Sequence, residues 1–230
     1  LYRRAVGPPA PYQFSTIMGE DIPPIAEAVR SWWSEHATLA FSTADAAVWL
    51  GTQEIPFAAA IIPEGGADLQ PDDLAGVTGT LVVVSRYHTP IFQEWLNEQF
   101  RYVQEVSSGE FTVSLYARPD RPLEERPVEA EWPTFRLAQL QSWASLAPGE
   151  VLPVALALEE STGRGFDGAA KLSARLVAPD GTTIVQQDIT AAAGPLSLSL
   201  FVPPGATPGT YTLQLLAYDA ATLAPVPAND

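Results

Sequence analysis

At 230 residues, 47% of them hydrophobic and 17% charged, the chain has a globular composition with material for a real core. It is long enough for one large domain or two ordinary ones. Twelve basic residues against 27 acidic give a formal net charge of −15. That balance argues against nucleic acid, whose phosphates require a Lys/Arg surface, and against docking on anionic lipid headgroups.

In chain order, DIPPIAEAVRSWWS (21–34) predicts a helix, with Asp21 as N-cap and prolines in the first turn. Ile22, Ile25, Val29, Trp32 and Trp33 recur there at helical spacing. ATLAF (37–41) reads as a short buried strand, TADAAVWLG (43–51) as a short helix, and IPFAAAII (55–62) as a further apolar run. TLVVVS (80–85) is a strand whose unbroken apolar character implies cover on both faces. Thr89 then caps a helix that Pro90 opens and that is expected to run to about Val106, with Phe92, Trp95, Leu96, Phe100 and Val103 as its apolar stripe. FTVSLYA (111–117) closes the unit as a strand. Strand–helix–strand succession predicts a mostly parallel sheet with flanking helices, a small α/β domain over residues 1–120. Its first strand is missing or replaced by YQFSTI (12–17).

Residues 118–133, RPDRPLEERPVEAEWP, hold four prolines and dense charge without apolar period. They predict a stiff linker, placed at 121–133 between the domains. From residue 134 the apolar period becomes two. LSLSL (196–200), VALALE (154–159), KLSARLV (171–177) and YTLQLLAY (211–218) alternate, and APGE, APDGT and TPGT supply turns. The expectation for 134–230 is an antiparallel β-sandwich of Ig-like or fibronectin-like type. Pro208-Gly209-Thr210-Tyr211 resembles a tyrosine corner.

Chemistry is sparse. GRGFDG (163–168) matches a dinucleotide-binding glycine pattern, but an alternating stretch follows it where the pyrophosphate would need a helix. The two histidines, His36 and His88, lie on different elements and predict no metal site. With no cysteine, disulfides, Fe–S clusters and thiolate zinc sites are excluded. The pairs Asp72-Asp73, Glu124-Glu125 and Glu159-Glu160 sit in polar stretches and read as solvated charge. No cofactor is expected. Two groups remain as candidates. Arg86, Tyr87 and His88 end a buried strand, where open α/β sheets bind ligands, and form a ligand or contact lip. Trp132 and Trp143 flank the first strand of the sandwich and are candidates for stacking on glycan.

Residues 79–119, GTLVVVSRYHTPIFQEWLNEQFRYVQEVSSGEFTVSLYARP, resemble the extracytoplasmic α/β region of bacterial GT-C-fold membrane glycosyltransferases. These are the relatives of protein O-mannosyltransferases that use a polyprenyl-phosphate sugar donor. LAPGEVLPVALALE (146–159), LVAPDGTTIVQQD (176–188), VPPGATPGTYTLQLLAYDAAT (202–222) and PVP (225–227) resemble the β-sandwich appended to such enzymes in Chloroflexi-like bacteria. VALALE departs from that pattern in lacking a tryptophan. The resemblance implies a soluble, non-catalytic appendage that shapes acceptor access or envelope contacts, since the family's catalytic acid lies in an extracytoplasmic loop near the first membrane helix and the lipid donor binds among the helices, neither of which is in these residues. The membrane-embedded region of the same polypeptide is then the partner, with a glycan or protein acceptor. Several hundred residues of hydrophobic helices are expected before Leu1, against which Arg3-Arg4 is a mild counter-sign. The alternatives are an exported carbohydrate- or protein-binding surface module and a soluble hydrolase or transferase centred on His88.

Overall fold

The structure is a computed structural model describing residues 22–50, 60–63, 67–86, 90–161 and 170–229. The chain divides into two units, Leu1–Asp120 and Arg121–Asp230.

The first unit contains helix α1 (Ile22–Trp32), strand β1 (Ala37–Phe41), helix α2 (Ala44–Leu50), strand β2 (Gly79–Ser85), helix α3 (Pro90–Gln99) and the hairpin β3 (Arg101–Ser108) and β4 (Phe111–Arg118). Its sheet runs β1-β2-β4-β3. Only β1 and β2 are parallel, while β2–β4 and β3–β4 are antiparallel. The expected mostly parallel α/β sheet is therefore incorrect, and the described chain is rich in antiparallel β structure. The physical reason lies in residues 101–108. They were expected to extend α3, but the helix stops at Gln99 and Gly109, at φ 55°, turns a two-residue hairpin. β3 still returns parallel to β2, as a crossover helix dictates, but β4 folds back and inserts between the two.

Both faces of this sheet are covered. Leu81, Val83 and Tyr116 face a core shared with Phe92, Leu96 and Phe100 of α3 and its end. On the alternate positions Leu39, Phe41, Val82, Val84, Val113 and Leu115 are all buried. α1 packs on β3 and β4 and buries Ile25, Val29 and Trp32. YQFSTI and most of IPFAAAII lie outside the described residues; Ile61 bridges in parallel to Ala40 beside β1.

The second unit is two antiparallel sheets around one core. The first sheet runs β11 (Gly194–Phe201), β8 (Val151–Glu160), β7 (Phe135–Ser142) and β5 (Glu124–Glu125), with β6 (Ala130–Glu131) also on β7. The second runs β10 (Thr183–Thr190), β9 (Ala170–Val177), β12 (Thr212–Asp219) and β13 (Pro225–Val226). Residues 121–133 are not a linker: β5 and β6 bond to β7, and Trp132 is in the core beside Phe135, their rings 4.8 Å apart. Prolines are compatible with such short edge pieces, which need few ladder donors. Tyr211 donates its hydroxyl hydrogen bond to the Thr207 carbonyl, forming the tyrosine corner.

Candidate functional site

The lip after β2 is described only in part, because Tyr87 and His88 lie outside the described residues. Arg86 follows the last strand residue, and both Nε and Nη2 donate to Glu110 Oε2, at 3.0 and 2.8 Å. Glu110 belongs to the β3–β4 turn, so this charge-assisted contact ties the end of β2 to the hairpin. Around it Ser107 and Thr112 share a hydroxyl hydrogen bond at 3.0 Å, and Ser85 is paired with Thr112 across the ladder. The arrangement is a polar edge in which Arg86 has a structural partner.

Behind that edge lies a residue the sequence reading did not single out. Tyr116 is fully buried, and Gln93 of α3 donates to its phenol oxygen at 2.8 Å. Burial pushes the phenol's ionisation up, against the opposing hydrogen bond from Gln93. It stays neutral at ordinary pH and acts as a polar pin between helix and sheet. The signal available in sequence was the lone hydroxyl-bearing ring in the inward alternation of β4.

The tryptophans do not form a stacking platform. Trp132 is 3% and Trp143 7% exposed, so neither offers the open ring face that a sugar needs. The Arg121 guanidinium lies 4.3 Å from the Trp143 ring centroid, and the indole N–H donates to the Arg121 carbonyl at 3.3 Å. Trp143 nevertheless borders a groove of about 530 Å³ at one end of the sandwich, with Leu140, Leu146, Tyr211, Leu213 and Arg126.

Among the described residues no cluster of three or more His, Asp or Glu side chains is placed to hold a metal. His36 is exposed, with Glu35 as its neighbouring carboxylate, and GRGFDG lies outside the described residues. Of the carboxylate pairs, Glu159 accepts from Arg136 across β7–β8, while Asp73 accepts from the Gln70 backbone at 2.8 Å. No helix among the described residues is long and apolar enough to cross a membrane.

No protein-family profile and no curated protein matches the chain. Among solved structures, an endonuclease/exonuclease/phosphatase from Beutenbergia cavernae is similar over 69% of this chain and 56% of its own, at 11% identity and a TM-score of 0.32. The chain thus spans a little over half of that protein's length, and a likeness at this level carries no argument about fold or activity.

Proposed function

We propose that the chain is a non-catalytic, extracytoplasmic accessory region of a membrane-embedded glycosyltransferase that uses a polyprenyl-phosphate sugar donor. The observation that carries this reading is the state of residues 79–119, the stretch holding the family resemblance. Its described residues, 79–86 and 90–119, form β2, α3, β3 and β4, and two of their polar side chains serve internal packing: Arg86 binds Glu110, and Gln93 binds Tyr116. Such a piece shapes access for an acceptor or contacts the envelope, and leaves sugar transfer to the membrane helices.

The test is to read the gene upstream of Leu1 and to assay the purified chain. Several hundred residues encoding hydrophobic helices, with a periplasmic-active reporter fused after Asp230 giving signal, support the proposal. A start codon or plain secretory signal just before Leu1 overturns it in favour of an exported binding module. Turnover of a glycoside, ester or phosphate substrate that disappears with His88→Ala overturns it in favour of a soluble enzyme.

A further inference from the structure

Strand β12 has an open ladder edge beside the groove that Trp143 borders. Ala178, just past β9, donates its N–H to the Thr182 carbonyl. The even-numbered residues of β9 therefore point their backbone groups at β10, and the odd-numbered ones at β12. Val177, Arg175, Ser173 and Lys171 thus bond to Thr212, Gln214, Leu216 and Tyr218. The other residues of β12 point their N–H and C=O groups the opposite way. At one end that edge is filled: β13 pairs at Ala217 and Tyr218, and Asp219 N donates to the Ala224 carbonyl at 2.9 Å. Over Leu213 and Leu215 it is open, since among the described residues no backbone group pairs with either on that side. Two N–H and two C=O groups are presented in line there, with a repeat of about 6.8 Å.

The groove beside this edge is apolar. Leu213 and Leu215 pack their side chains against the sandwich core, and Leu213 lines the groove with Leu140, Leu176 and Val128. Val128 comes from the other sheet, where it lies between β5 and β6, the two pieces that cover β7. It is 47% exposed. Among the described residues the one charged side chain lining the groove is Arg126, ion-paired with Glu124 at 3.5 Å. No carboxylate lines it, in a chain whose net charge is −15.

Strand edges are commonly protected from added strands by charge, proline or a bulge. The edge strand β3 is protected in this way: it bulges between Tyr102 and Gln104 and carries Arg101 and Glu105. β12 has no such device. It pairs with β9 without a register shift, and Thr212, Gln214 and Leu216, which point away from the core, are uncharged. Leu216 is a large apolar side chain left 39% exposed.

We propose that the edge at Leu213 and Leu215 binds an extended, uncharged polypeptide strand with apolar residues at alternate positions. The strand adds to the sheet beside β12 and seats its apolar side chains in the groove. The backbone groups select this occupant over others. A lipid or other apolar molecule in the groove would take two N–H and two C=O groups out of water without partners. A strand brings the matching groups at the same repeat, and its side chains alternate in step with those of β12. The lining selects against charge, because its one cation already has a carboxylate partner and a buried charge on the strand would find none. This proposal stands whether or not the chain belongs to a membrane enzyme.

Calorimetric titration of the full chain with a panel of capped heptapeptides tests it, each with Thr at one set of alternate positions and Val, Leu or Phe at the other. At least one should bind, and the same peptide N-methylated along the edge facing β12 should bind at least about tenfold more weakly, the order expected for two lost hydrogen bonds. Amide exchange reads the site directly. In the free chain Leu213 and Leu215 should exchange fast between the slow amides of Thr212, Gln214 and Leu216, and the bound peptide should slow both by at least about tenfold. Val128→Asp puts a charge on the opposite wall at a half-exposed position, so it should weaken binding while thermal melts match the parent's. Failure of the whole panel to bind, equal affinity for the N-methylated peptide, or unchanged exchange at Leu213 and Leu215 would overturn the proposal. So would sedimentation showing a dimer whose assembly alone slows those two amides, because the occupant would then be a second copy of the chain.

Discussion

Strand β2 in the first unit and strand β7 in the second bury their residues by different rules. Leu81, Val82, Val83 and Val84 are each 0% exposed, because layers cover both faces of a central strand. In β7, Phe135 and Leu137 are buried while Arg136 and Ala138 are exposed, because water covers one face. The lesson is that apolar pattern reports how many faces are covered. It says nothing of the direction in which the neighbouring strands run.

The largest effects test that contrast directly. Val82→Ser and Val83→Ser should each destabilise the first unit by about 2–4 kcal/mol, since both place an unpaired hydroxyl and lost volume in a core. Leu137→Ser should cost the second unit a similar amount, whereas Ala138→Ser should stay within about 0.5 kcal/mol. Urea denaturation followed separately in each unit measures all four; a silent Val82→Ser or Val83→Ser would break the two-face account of β2. Next in size is Gly109→Ala in the β3–β4 turn. A positive φ is strained for a residue with Cβ, so a loss of about 1–2 kcal/mol is expected, with faster amide exchange along β3. An unchanged exchange pattern would remove the hairpin's role in setting the sheet.

In the sandwich, Tyr211→Phe keeps the ring and deletes the bond to the Thr207 carbonyl. It should lower stability by about 1 kcal/mol, visible as a shift in urea midpoint without a change in slope. The smallest effect is electrostatic. Burial alone would raise the Asp188 carboxyl, but its hydrogen bonds and the Arg175 charge lower it. Its stabilising contribution is full above the ordinary carboxylate value and is lost as pH falls through the lowered one. Asp188→Asn should therefore lower stability slightly in the neutral range, flatten its fall below about pH 4, and match the parent at the acid extreme.

Legibility followed the same division. The alternation of Leu172, Ala174 and Leu176 marked an inward face that the structure bears out, as it does the corner at Tyr211. β2 was legible as a strand covered on both sides. β3 was not, because Phe100 and Val103 continue the spacing of Phe92 and Leu96, so a helical stripe runs unbroken into a strand. What settles it is the pairing with β4 and the turn at Gly109, which local period does not encode. Residues 121–133 misled through composition: prolines and charges resemble a linker, while Trp132 supplies the buried anchor. Arg86 was legible as a polar end of β2, but its partner Glu110 is 24 residues away and on a different element.

The insertion of β4 between β2 and β3 also orders events in time. β4 is the last strand of the first unit to leave the ribosome, yet it occupies an interior place in the sheet. Until residues 111–118 emerge, β2 has a hydrogen-bonding edge with no ladder partner, on the most apolar strand of the unit. A nascent chain halted before Phe111 therefore displays an aggregation-prone edge, and one released after Arg118 does not.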